Sequence, residues 1–265
     1  MINLSQTILA LAPSKALIPF ITAGFPKPEM TVDIMHALVS AGANVIELGM
    51  PFSDPMADGP IIQKASEQAI KQGVTLESTL AMVAQFRRKD VITPIVLMGY
   101  LNPVECMGYD NFISKAAVAG VNAVLLVDSP PEESHALQVA LKKHGLQQIF
   151  LVAPTTSESR KKLICDQAAG FIYYVALKGV TGAADLNPDL VNTEIKALKS
   201  MTDLPIAVGF GVKDKLSAVA VAEQADAIVI GSALMSMLAD CQDSKAAVTK
   251  VSEFIRPIRT ALDSL

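Results

Sequence analysis

Short runs of consecutive apolar, mostly β-branched residues recur along the chain. Between them lie stretches in which apolar positions return every three or four residues. The runs fall at 17–22, 44–49, 93–98, 123–127, 148–152, 171–177, 205–209 and 227–230. Runs that stay apolar at nearly every position predict strands buried on both faces, as in parallel sheets. The intervening stretches, among them 29–40, 76–89, 132–144, 157–168, 188–200 and 213–223, predict amphipathic helices. Eight strands in 265 residues give about 33 residues per repeat, the size of a βα unit. No linker, low-complexity segment or break in composition interrupts the alternation. The expectation is therefore an α/β fold, a single (β/α)8 TIM barrel in which residues 1–265 form one domain, with an extra N-terminal helix at 3–11. A doubly wound open sheet is the alternative. It would normally carry GxGxxG after its first strand, and Gly24-Phe25-Pro26 is not that motif.

Composition narrows the function. The formal charge is −4, from 22 Lys+Arg against 26 Asp+Glu, which offers neither the basic face a nucleic-acid backbone needs nor a polybasic patch for a membrane surface. Mean hydropathy is high at +0.40, yet charge-free runs such as 1–14 and 91–104 reach only 14 residues, short of the roughly 18 that span a bilayer. The N-terminus lacks the basic segment of a signal peptide. Cys106, Cys165 and Cys241 are odd in number and have no metal-ligand spacing, so reduced thiols in a cytoplasmic protein are expected. No Walker loop or HExxH motif occurs. His36, His135 and His144 fall on predicted helices and read as surface or packing residues, and Arg87-Arg88-Lys89 reads as a solvated helix C-terminus. The chemistry must come from acid and base groups, with no metal and no cofactor in this chain.

In a barrel the active site lies at the C-terminal ends of the strands. There, Val45-Ile46-Glu47-Leu48-Gly49 places a carboxylate inside an apolar strand. Strand alternation puts Val45, Glu47 and Gly49 on one face. If that face is the interior, burial raises the Glu47 pKa and suits it to general acid–base work; the alternative is a Glu that points outward or is satisfied by a hydrogen bond. The following loop, 51–60, crowds Asp54 and Asp58 among prolines. Either Asp is also a candidate turn residue or helix cap. Glycine-bearing turns at Gly179-Val180-Thr181-Gly182, Gly209-Phe210-Gly211 and Gly231-Ser232-Ala233 follow the last three strands. Backbone amides at such turns, and a helix starting at Ser232, suit a phosphate monoester.

The block from Glu47 to Pro60, ELGMPFSDPMADGP, closely resembles the signature of the tryptophan synthase alpha subunit family. The likeness continues through Pro19-Phe20-Ile21-Thr22-Ala23-Gly24, Gly179-Val180-Thr181-Gly182, Gly209-Phe210-Gly211-Val212 and Gly231-Ser232-Ala233, from first strand to last. The resemblance implies a barrel that cleaves indole-3-glycerol phosphate to indole and glyceraldehyde 3-phosphate, with Glu47 and Asp58 as the catalytic pair. It places Phe20, Ile62, Tyr100 and Tyr173 around the indole and the barrel mouth, and Thr181, Gly182, Phe210, Gly211, Gly231 and Ser232 at loop-closure and phosphate positions. It further implies a beta-subunit partner that carries pyridoxal phosphate, an alpha2beta2 heterotetramer, contact through Pro51, Asp54 and Pro55, and closure of a loop near 178–188.

One stretch departs from the family pattern. Well-known members have Ser-Arg two and three residues beyond the active-site Tyr; this chain has Tyr173-Tyr174-Val175-Ala176-Leu177-Lys178, so a different closure equilibrium is expected. Lys178 raises a rival Schiff-base reading, opposed by its parity relative to Tyr173, Val175 and Leu177. A non-catalytic scaffold and a stand-alone lyase are two further rivals. The scaffold has no need of Glu47 and Asp58 at one mouth.

Overall fold

The computed structural model describes residues 3–176, 188–209 and 211–265. Eight strands, β1 (Ala16–Thr22), β2 (Ile46–Gly49), β3 (Ile95–Gly99), β4 (Ala123–Leu126), β5 (Gln147–Val152), β6 (Ile172–Val175), β7 (Ile206–Gly209) and β8 (Ala227–Ile230), pair in chain order and all in parallel. β8 returns to β1 through the register Ala16↔Ala227 to Pro19↔Ile230, so the sheet closes. The expected barrel is present, and the open sheet is excluded.

Alternation sorts every strand into two faces. Ala16, Ile18, Val45, Val96, Ala123, Leu125, Ile149, Tyr173, Ala207 and Val229 belong to one buried cluster that fills the interior. Their sequence neighbours, such as Leu17, Ile46, Leu97, Val124, Tyr174 and Val208, pack in a second cluster against the surrounding helices. Both faces being apolar is why the strands read as continuous runs.

The helices are α1 (Leu4–Leu9), α2 (Thr31–Ser40), α3 (Pro60–Lys71), α4 (Leu76–Arg87), α5 (Leu101–Met107), α6 (Tyr109–Ala119), α7 (His135–Lys143), α8 (Glu158–Gln167), α9 (Pro188–Lys199), α10 (Lys215–Ala222), α11 (Ser232–Leu238) and α12 (Ser244–Asp263). α1 is the expected extra helix. It lays Leu4 and Ile8 into the interior cluster, and Ser5 Oγ donates to the Gly170 carbonyl at 2.6 Å, so it plugs the N-terminal end of the barrel. α7 begins three residues later than its pattern suggests, because Pro130 and Pro131 hold the chain in a turn before it. The stretch 29–40 divides into a 3-10 turn, Pro28–Met30, and α2.

The basic run 87–89 is corrected in part. The Arg87 side chain is only 13% exposed. It donates to the carbonyls of Gly120, Asp90 and Thr93 and to Asn122 Oδ1 at 2.7–3.1 Å, tying α4 to the starts of β3 and β4. Arg88 and Lys89 are exposed, as expected.

Candidate active site

Glu47 lies on β2 between Phe20 of β1 and Val96 of β3. Its parity with Val45, an interior residue, turns the side chain into the barrel. Only 1% of the residue is exposed, and neither carboxyl oxygen has a hydrogen-bond partner among the described residues. A carboxylate stripped of water with nothing to replace it resists ionisation. Burial first, and the nearby charge of Asp58 second, push the Glu47 pKa up from 4.5 to about 8. At neutral pH this group holds a proton.

Asp58 sits at the end of a loop folded by the proline turns that the sequence predicts. The Met56 amide bonds the Asp54 carbonyl at 2.9 Å and the Asp58 amide bonds the Pro55 carbonyl at 3.1 Å. Its helix-cap reading fails. Gly59 is the cap residue of α3, Pro60 opens the helix, and no side chain caps it. The Asp58 carboxyl is instead half-buried at the barrel mouth, where burial raises its pKa from 3.8 to about 6 against the opposing hydrogen bond from the Tyr100 hydroxyl. That hydroxyl also accepts the Ala57 amide at 3.0 Å, so Tyr100 grips the loop at two adjacent residues. Phe52 packs on the Tyr100 ring with centroids 5.5 Å apart.

Phe20, Ile62 and Tyr100 line, with Asp58 and Gly49, a narrow recess at the mouth. Glycine at 49 keeps it open, since a Cβ there would lie 2.6 Å from the Phe20 ring. Tyr173 lies deeper, in the interior cluster rather than on the recess wall. Its hydroxyl is held far above its ordinary pKa by burial and by the charges of Glu47 and Asp58, so it stays a neutral donor. The recess also includes Thr22, which the motif reading passed over. Its Oγ1 is buried without a partner among the described residues. The signal was available, because Thr22 is a polar residue ending an apolar strand, the pattern that singles out Glu47.

The side of the mouth expected to take a phosphate is described in part. Gly211 follows β7 with φ +79°. Gly231 is the cap residue of α11, and a Cβ on it would lie 3.3 Å from that of Phe20, so the start of α11 with exposed Ser232 adjoins the recess. Thr181, Gly182, Phe210 and Lys178, with 177–187 of the expected closure loop, lie outside the described residues; of the stretch that departs from the family pattern, Ala176 is described, its amide donating to the Gly209 carbonyl at 3.0 Å. Asp54 is exposed, its neighbour Met56 is 71% exposed, and Pro51 and Pro55 are half-buried. The loop thus presents Asp54 outward and Asp58 inward. Among the described residues no three His, Cys, Asp or Glu side chains group to hold a metal ion, and no helix is long and apolar enough to cross a membrane.

Comparison with known proteins agrees with this geometry. Residues 9–263 match the family model described as tryptophan synthase alpha chain. The tryptophan synthase alpha chain of Thioalkalivibrio sulfidiphilus is 55% identical over 96% of both chains, and that of Methylococcus capsulatus 54% identical over 97% of both. Among solved structures, tryptophan synthase subunit alpha from Legionella pneumophila superposes with a TM-score of 0.91 at 41% identity over the full length of both chains. A tryptophan synthase complex from Pyrococcus furiosus gives 0.83 at 34% identity, over 92% of this chain and 98% of the other. A barrel with a protonated buried glutamate beneath an aspartate at its mouth, matched over nearly its whole length at this identity, belongs to the tryptophan synthase alpha chain family.

Proposed function

We propose that this chain cleaves indole-3-glycerol phosphate to indole and glyceraldehyde 3-phosphate with Glu47 as general acid and base and Asp58 as the electrostatic partner. A carbon–carbon lyase half-reaction is the activity of the family. The observation that carries the residue roles is the pairing of a buried, unpartnered Glu47 carboxyl with Asp58 at one mouth.

Cleavage requires a proton on indole C3 and the removal of one from the glycerol hydroxyl on the adjoining carbon. Glu47, protonated at rest, delivers the first. The indole ring then carries a positive charge, which ionised Asp58 stabilises at the ring N–H. Glu47, now a carboxylate, takes the hydroxyl proton. The bond between C3 and the glycerol carbon breaks, its electron pair returns to the ring, and the hydroxyl oxygen becomes the aldehyde carbonyl. Glu47 ends in its starting state, so no external acid, base or cofactor is consumed. Phe20, Ile62, Tyr100 and Tyr173 surround the indole. Thr181, Gly182, Phe210, Gly211, Gly231 and Ser232 receive the phosphate, and the loop near 178–188 closes over it.

The partner is a tryptophan synthase beta subunit, as in the a2b2 complex from Pyrococcus furiosus. It docks on Pro51, Asp54 and Pro55 and holds the pyridoxal phosphate that joins indole to serine. The working unit is an alpha2beta2 heterotetramer in the cytoplasm, with residues 1–265 acting as one domain.

Indole release by the purified chain, alone and with beta subunit, tests the reading. Slow cleavage alone and a large rise with partner, both abolished in Glu47→Gln, is the expected result. Fast cleavage indifferent to partner would make the chain a stand-alone lyase. Cleavage unaffected by Glu47→Gln would overturn the residue roles.

A further inference from the structure

Asp128 lies two residues beyond β4, whose last residue, Leu126, pairs with Gly99 at the end of β3. That register sets its carboxylate beside the first turn of α5. Oδ1 accepts the Leu101 amide at 2.8 Å. Tyr100, at the cap position of that helix, supplies no side-chain cap of its own, because a phenol cannot turn back to its own first turn. Helix starts leave amides open, and a carboxylate there is favoured by hydrogen bonding and by the helix dipole together. Asp128 therefore does from the neighbouring strand what a serine or aspartate at position 100 would do locally.

The consequence reaches the site. With its backbone held at Leu101, and its ring 2% exposed and packed against Phe52, Tyr100 directs its hydroxyl to the Ala57 amide and the Asp58 carboxyl. A hydrogen bond from the Leu101 amide joins Asp128 to the start of α5, and one from the Ala57 amide joins Tyr100 to the loop next to Asp58. Asp128 also adds to the negative surroundings that keep the Tyr100 hydroxyl protonated and able to donate.

We propose that Asp128 is a positioning residue for the cleavage, which fixes through Tyr100 where a hydrogen-bond donor meets the Asp58 carboxylate. This rests on the assignment of Asp58 to the reaction. The titratable groups facing Asp58 and its partner are Glu47 from β2, Tyr100 from the end of β3, Tyr173 from β6 and Asp128 from beyond β4.

The test is a double-mutant cycle on the full chain with beta subunit, reading kcat and KM for indole release from pH 5 to 9. Asp128→Ala lowers kcat roughly tenfold with little change in KM and moves the acidic limb of the profile upward, since Asp58 loses a well-placed donor. Asp128→Asn, which keeps an Oδ1 acceptor, restores most of the rate. In a Tyr100→Phe background Asp128→Ala costs no more than about twofold. Asp128→Glu displaces the acceptor by one methylene and shifts the limb the same way, which serves if the alanine variant does not fold. Additive losses in the cycle, or an unmoved acidic limb accompanied only by a lower melting temperature, would overturn the proposal. Asp58→Asn included in the series separates the two levels. If that variant keeps both rate and acidic limb, the assignment of Asp58 falls and takes the proposal with it.

Discussion

The hydroxyl of Tyr173 on β6 fills the space that a β-carbon on Gly209 of β7 would occupy. The two residues lie on adjacent strands, with Val175 paired to Gly209, and share the interior face. A glycine at the end of β7 is thus the complement of a phenol beneath the mouth. Gly209→Ala drives Tyr173 toward Glu47. The expected outcome is a loss of about 1–3 kcal/mol in stability and at least a tenfold loss in kcat/KM. Urea denaturation and indole-release kinetics on the one variant check both.

Glu47 makes stability depend on pH in an unusual direction. Its folded pKa, about 8, lies above the ordinary 4.5, so the folded chain keeps a proton that the unfolded chain gives up. Stability is full below pH 4.5 as far as this group is concerned and declines as pH rises toward 8. Asp58, raised from 3.8 to about 6, adds to the decline at its lower end. Glu47→Gln flattens the slope and leaves the variant more stable than the parent at pH 8, while cleavage falls by about 10²–10⁴-fold. Denaturation midpoints at pH 5, 6.5 and 8 decide it.

On the roles proposed for them, the same two groups shape the rate. Asp58 must be ionised and Glu47 protonated, which gives a bell with an acidic limb near 6 and a basic limb near 8. The limbs belong to the coupled pair. Asp58→Asn removes the acidic limb, and a kcat profile for that variant that still rises through pH 6 would contradict the assignment.

Arg87 predicts stability without catalysis. Its guanidinium supports three backbone carbonyls and Asn122 at the end of the barrel opposite the site. Arg87→Ala takes the donor from the three carbonyls, while Asn122 Oδ1 keeps the Ile95 amide, and costs about 2–4 kcal/mol, with kcat for indole release unchanged at temperatures where the variant is folded.

Asp54 predicts the converse. It is exposed on the loop whose other face carries Asp58. Asp54→Ala leaves basal cleavage intact and weakens the stimulation by beta subunit, read by titrating the partner against a fixed amount of this chain.

The barrel was legible because both strand faces are apolar, so eight runs announce themselves without knowledge of their pairing. Glu47 was legible for the opposite reason, a charge standing where every neighbour is apolar. Arg87 was misread because its partners, Gly120 and Asn122, lie more than thirty residues away, and a basic run at a helix end looks solvated in one dimension. The fit of Tyr173 to Gly209 is likewise a contact between strands, written in no local pattern. The late start of α7 follows from Pro130-Pro131, a signal present in the chain but weaker than the helical periodicity that continues through it.

Among the described residues, the plug formed by α1 closes the barrel at the end opposite Asp58. With Leu4 and Ile8 packed into the floor, the described residues leave the end that carries Asp58 as the side from which Glu47 is approached. Whatever covers that rim therefore governs access to Glu47.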